Sequence, residues 1–137
     1  MLSVARAGSP PIMIITGIVS DGHGAAKRDV SNGFYSSVSP ALYPGTLNIR
    51  TPDSPWKLPL PAKQLIDHND ARCLIWDATL HIPVGYYVRV WAMWPQHRTV
   101  SAWNIIEILS EFPLRSTYGL TTGMEVEVEL CPVIPTR

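Results

Sequence analysis

The chain has 137 residues, 46% of them hydrophobic and 16% charged, and its 11 basic residues balance its 11 acidic ones. That length fits one domain with one core, and the composition excludes a disordered chain. A formal net charge of zero excludes the broad basic field of a general nucleic-acid binder. No apolar run reaches the ~18 residues of a membrane span, and residues 1–10 lack the apolar middle of a signal peptide. The two cysteines, Cys73 and Cys131, show no CxxC spacing and make no disulfide framework. The sequence therefore predicts a flexible arm over 1–10 and a single domain over 11–137. A monomer in a reducing cytoplasm, with no membrane or nucleic-acid partner, is expected.

Thirteen prolines and nine glycines are spread along the chain, which favours short strands and turns over long helices. Residues 11–19 (PIMIITGIV) are rich in β-branched side chains and predict a buried strand. A small polar stretch follows over 20–27, and 33–40 predict a short helix or an irregular segment. The turn Tyr43-Pro44-Gly45 leads into a strand over 46–50. Pro52, Pro55, Pro59 and Pro61 cannot donate ladder hydrogen bonds, so 52–71 reads as a surface loop. Residues 72–82 and 85–94 predict paired strands joined at Pro83-Val84-Gly85, and 103–109 predict another. One helical turn is expected over 113–118, with Gly119 suited to the left-handed position after it. After the turn Thr122-Gly123, residues 125–130 alternate strictly, which turns the valines inward and the glutamates toward water. Short strands with little helix mean a barrel or a sandwich, and periodicity alone does not choose between them.

Four groups of residues carry candidate chemistry. Glycines at 22 and 24 let backbone N–H groups approach a phosphate, and Lys27 follows with a positive charge. The spacing is neither a P-loop nor a Rossmann turn, and by itself it reads as an ordinary hairpin loop. Thr46 and Asn48 lie two apart on a strand and share a face. Their hydroxyl and amide oxygens are hard ligands that suit Mg²⁺, and a solvated polar face is the plain alternative. Thr99 and Glu107 form the third group, Glu107 lying among Ile105, Ile106, Ile108 and Leu109, where alternation turns it outward. The fourth is Phe112-Pro113-Leu114-Arg115, in which the guanidinium fork suits a phosphate or a base edge.

The order GIVSDGHGAAK, LYPGTLNIR, HRTVSAWNIIEI, FPLRSTYGLTTGMEVEVEL resembles the archaeal-type CTP-dependent riboflavin kinases over roughly residues 12–130. PGTLN is the most specific piece, and the spacings from Thr99 to Glu107 and from Glu107 to Leu114-Arg115 agree with the family pattern. The resemblance implies a mostly-β fold, a small six-stranded cradle-loop barrel with one or two short helices. It implies transfer of the γ-phosphoryl of CTP to the 5′-hydroxyl of riboflavin, giving FMN and CDP. Gly22, His23, Gly24, Ala25, Ala26 and Lys27 would wrap the nucleotide, and Phe112, Pro113, Leu114 and Arg115 would line its cytidine side. Thr46 and Asn48 would hold Mg²⁺, and Thr99 and Glu107 would contact the flavin. The catalytic base is not identified, with Asp21, His23 and Glu107 as candidates. The chain departs from the family's G-x-G-E-G loop, reading Gly22-His23-Gly24-Ala25-Ala26 with Asp21 inserted before it. That departure keeps a non-catalytic flavin- or nucleotide-binding barrel, or a kinase of another small alcohol, as alternatives. Neutral charge argues against a DNA-binding barrel.

Overall fold

The computed structural model describes residues 2–4, 13–21, 37–52, 64–68, 71–96 and 104–131. These residues form β1 (Leu2–Val4), β2 (Met13–Ser20), β3 (Leu47–Arg50), β4 (Gln64–His68), β5 (Ala71–Ile82), β6 (Tyr86–Gln96), β7 (Ile105–Leu109), α1 (Leu114–Tyr118) and β8 (Glu125–Leu130). Six of the strands close a ring in the order β2-β3-β7-β6-β5-β8, every neighbour antiparallel, with β8 returning to β2. The protein is thus a closed six-stranded antiparallel barrel with one short helix among the described residues. No helix among them is long and apolar enough to cross a membrane.

Two strands divide one edge between partners. β2 gives one edge to β8 from Met13 to Ile18, while its other edge takes β1 at Met13–Ile15 and then β3 at Ile18–Ser20. β5 pairs β6 along one edge and on the other takes β4 near its start and β8 near its end. Two elements here differ from the sequence reading. Leu2–Val4, within the stretch read as a loose arm, form a strand against β2. Gln64–His68, within the stretch read as surface loop, form a strand against β5. A neighbour's open edge supplies the hydrogen bonds in both cases, which is a non-local cause.

Period-2 alternation fills the barrel. Ile15, Val19, Ile49, Leu80, Val90, Ile106, Ile108, Val126, Val128 and Leu130 all point inward and are buried, and Leu114 of α1 and Leu120 join them. Burying each such side chain contributes about 1.5–3 kcal/mol. Ile75, Met93 and Leu109 form a second cluster with the half-buried Val38, Leu42 and Trp91. Trp76 beside Ile75, Ala92 beside Met93 and Ile108 beside Leu109 are buried as well. Alternation fails at these pairs because Val38 and Leu42 cover the outer face of the sheet there. α1 is closed by Gly119, at φ 67, a conformation that glycine adopts without strain.

Gly17 marks a close approach in the ring. It sits opposite Val126, where β2 changes partner from β1 to β3. A Cβ there would collide with Ile49 Cγ2 and lie 2.8 Å from the Arg50 carbonyl oxygen. Gly17→Ala is therefore expected to destabilise the fold by about 1–3 kcal/mol. The check is urea unfolding, where the midpoint falls at an unchanged m-value.

Cys131 follows β8 and donates its N–H to the Asp77 carbonyl at 2.8 Å. Burial pushes its thiol pKa up and the Glu129 and Asp77 charges add to this, while a hydrogen bond with Thr79 and the Arg89 charge act against it. The folded chain thus favours the neutral thiol. That contribution to stability is present below the ordinary thiol range, about 8.5, and is lost as pH rises through the raised folded value. Peptide mapping after iodoacetamide treatment is expected to show slower labelling of Cys131 in the folded chain than in urea, and faster labelling in Glu129→Gln.

Candidate functional site

β3 and β7 set the register of the site. Asn48 lies directly opposite Glu107, and Ser20 of β2 lies opposite Asn48 on the other side. Leu47 and Ile49 are buried on β3, as are Ile106 and Ile108 on β7, so Asn48 and Glu107 face outward and are half-buried. Thr46 precedes Asn48 by two positions and shares its face. Its Oγ1 lies 3.1 Å from Asn48 Oδ1 and 3.0 Å from Glu107 Oε1. One hydroxyl proton is shared between two acceptor oxygens.

This grouping of oxygens bears on the Mg²⁺ implied by the sequence. Octahedral Mg²⁺ with bonds of 2.0–2.1 Å sets neighbouring ligand oxygens about 2.9 Å apart. Thr46, Asn48 and Glu107 already bring three hard oxygens to nearly that spacing, and they fit such an ion. Among the described residues no group of three or more His, Cys, Asp or Glu side chains converges on a metal position, so a soft-ligand transition-metal site is not formed there.

Beside this cluster lies a hollow of about 240 Å³. One wall is the turn Tyr43, Pro44, Gly45 with Thr46 and Leu47, and the other is Phe112, Pro113, Leu114, Arg115 and Ser116. Two motifs nearly seventy residues apart in the chain thus share one cavity. Ser110 joins the walls. It is buried, its carbonyl accepts the Tyr43 N–H at 2.8 Å, and its Oγ accepts the Phe112 N–H at 3.0 Å. Sequence reasoning did not single out Ser110, although a Ser two residues before an N–H it can cap is a legible local signal. Next to it, Ser39 donates to Glu111 Oε2 at 2.6 Å and ties the 37–42 segment to the same corner.

Arg115 reaches from α1 to the end of β2. Its Nη2 donates to the Ser20 carbonyl at 3.1 Å, to Thr122 Oγ1 at 3.3 Å and to Asp21 Oδ1 at 3.5 Å. Thr122 in turn donates to Asp21 Oδ1 at 2.7 Å. The Asp21 carboxylate is 83% exposed, so the ion pair adds little stability. Its effect is positional, because it fixes the last described residue before the glycine-containing stretch. Gly22, His23, Gly24, Ala25, Ala26, Lys27 and Thr99 lie outside the described residues. The structure therefore brings together Thr46, Asn48, Glu107, Phe112, Pro113, Leu114 and Arg115.

No protein-family model matches the chain, and no curated protein matches it.

Replacing the Thr46 hydroxyl by a methyl removes one hard oxygen and the proton shared with Glu107. Thr46→Val is expected to keep the fold, judged by circular dichroism, and to weaken Mg²⁺ or Mn²⁺ binding by roughly 10–100-fold. Calorimetric titration of the metal into the full chain measures this.

Proposed function

We propose that this chain is a phosphotransferase of the CTP-dependent riboflavin kinase kind, acting in the cytoplasm. The observation that carries the reading is the hollow shared by the PGT turn and the FPLR segment, which Thr46 lines and to which Asn48 and Glu107 are joined through the Thr46 hydroxyl. Phosphoryl transfer asks mainly for in-line positioning and charge neutralisation, with little covalent work from the protein. A site of this size and composition suits that demand.

In this reading the bond between the β- and γ-phosphates of CTP breaks, and the riboflavin 5′-oxygen takes the γ-phosphorus. The hydroxyl proton passes to the transferred phosphate or to water, and CDP departs. Mg²⁺, when bound, would neutralise phosphate charge and fix the geometry of the transferred group. Thr46 and Asn48 supply its protein oxygens. Glu107, half-buried and 3.0 Å from the Thr46 hydroxyl, is placed to accept a hydrogen bond from the acceptor hydroxyl and to orient it. Phe112 and Pro113 offer apolar faces to the cytosine ring. Arg115 holds the end of β2, and residues 22–27, which the resemblance assigns to the nucleotide, follow that end in the chain. Ala25 and Ala26 in place of the family's Glu and Gly make donor choice the open variable of the reaction.

The purified full chain, given riboflavin, Mg²⁺ and each of the four ribonucleoside triphosphates, is expected to yield FMN by chromatography, most from CTP. Asn48→Ala is expected to lower the rate by roughly 10–100-fold and to raise the Mg²⁺ concentration needed for half-maximal rate. Flavin binding without FMN from any donor would assign the chain to the non-catalytic barrels. Absence of both binding and product would remove the flavin reading altogether.

A further inference from the structure

A second hollow, of about 330 Å³, opens on another part of the surface and shares no lining residue with the first. It is bounded by His81, Pro83, Gly85 and Tyr87 at the β5–β6 turn and by Glu125 and Glu127 on β8, with Ile82 and Val126 beneath. The strand registers explain the grouping. Tyr87 lies opposite His81, and His81 lies opposite Glu127, so the three make one row across β6, β5 and β8 on the outer face.

The row is rigid on one side and open on the other. His81 is held twice, by Glu129 Oε1 at 3.0 Å from its Nε2 and by the Tyr87 ring at a centroid distance of 4.7 Å. Tyr87 is nevertheless 74% exposed, and Val84 of the adjoining turn is 71% exposed, whereas Tyr86 points to the opposite face and packs on Tyr118 at a centroid distance of 5.3 Å. An exposed tyrosine at the rim of a hollow, with an exposed valine on the adjoining turn, makes this face a candidate interaction surface. Arg89 lies opposite Thr79, and Thr79 opposite Glu129, in the next row, so that row's charges offset one another. Glu125 and Glu127 stay exposed, and no other described side chain engages them.

Charge and spacing choose the occupant. Glu125 and Glu127 are alternate residues on one strand, about 7 Å apart, which is the spacing of alternate side chains in an extended peptide. The exposed Tyr87 ring, across the hollow with His81 between, suits stacking by a guanidinium or the stem of a lysine. Both edges of β8 are already paired, so the partner contributes side chains across the face and no added strand. The geometry points to a docking surface for an extended basic polypeptide segment with cationic residues at every second position, independent of the phosphotransferase reading.

The test is fluorescence anisotropy with the full chain and a labelled peptide in which arginine alternates with serine. Saturable binding that weakens as salt rises is expected, with the glutamate-serine peptide not binding. The Glu125→Gln/Glu127→Gln double variant is expected to weaken binding by about tenfold, and Tyr87→Ala by several-fold. Glu125→Lys/Glu127→Lys is expected to lose the arginine peptide and gain the glutamate one, a rescue that a general loss of structure does not produce. Equal binding of the two peptides, or unchanged binding by these variants, would overturn the proposal. So would self-association of the chain in light scattering that the lysine variant abolishes, since a second copy would then occupy the face.

Discussion

β8 is bonded on both edges, to β2 through six residue pairs and to β5 through four. Its Val126, Val128 and Leu130 enter the core while Glu125 and Glu127 stay in water. A slip of one residue would exchange those faces and drive carboxylates into an apolar interior, so the pairing has one admissible register. Because β8 closes the ring, that register also fixes β2 against β5, which make no ladder with each other. Gly123 donates to the Val19 carbonyl and Val19 donates to the Met124 carbonyl, each at 2.8 Å. The turn before β8 is thereby locked against the end of β2, and Thr122, Asp21 and Arg115 meet as a consequence.

The candidate site depends on closure in the same way. The three oxygens of Thr46, Asn48 and Glu107 converge only because β3 and β7 pair with Asn48 opposite Glu107. β7 is itself held by β6, and β3 by β2. The cavity wall formed by residues 112–116 is fastened to the opposite wall through the Ser110 carbonyl and the Tyr43 N–H. The polar groups are therefore carried by strands and by turns whose backbones are bonded to strands, which is the condition for holding reacting groups in a fixed geometry.

What could be seen in the sequence was what local chemistry decides. The alternation of residues 125–130, the hairpin at Pro83-Val84-Gly85 and the helical turn closed by Gly119 all follow from neighbours in the chain. The shared face of Thr46 and Asn48 was legible for the same reason. β4 was not legible, since Gln-Leu-Ile-Asp-His has no clean alternation and becomes a strand through the open edge of β5. The contact between Thr46 and Glu107 spans 61 positions, and strand register over that distance is set by the whole ring. The placing of Tyr87, His81 and Glu127 in one row has the same origin, because three separate strands supply its members.

A six-stranded barrel has no room for a ligand inside. Eight strands give an interior just wide enough for side chains to fill, and with six the walls come closer still. At Gly17 the approach of β3 leaves no space even for a Cβ, while Val19, Ile49, Leu80 and Val128 are wholly buried in the interior. Ligand chemistry is thereby confined to the outer faces and the loops that border them. Outward positions on barrel strands are ordinarily polar and unconstrained, so clustered oxygens at Thr46, Asn48 and Glu107, or an exposed tyrosine sharing a hollow with carboxylates at Tyr87 and Glu127, are not required by the fold. The packed interior explains why the strands pair as they do, and it leaves these two outer groupings to be explained by what they meet.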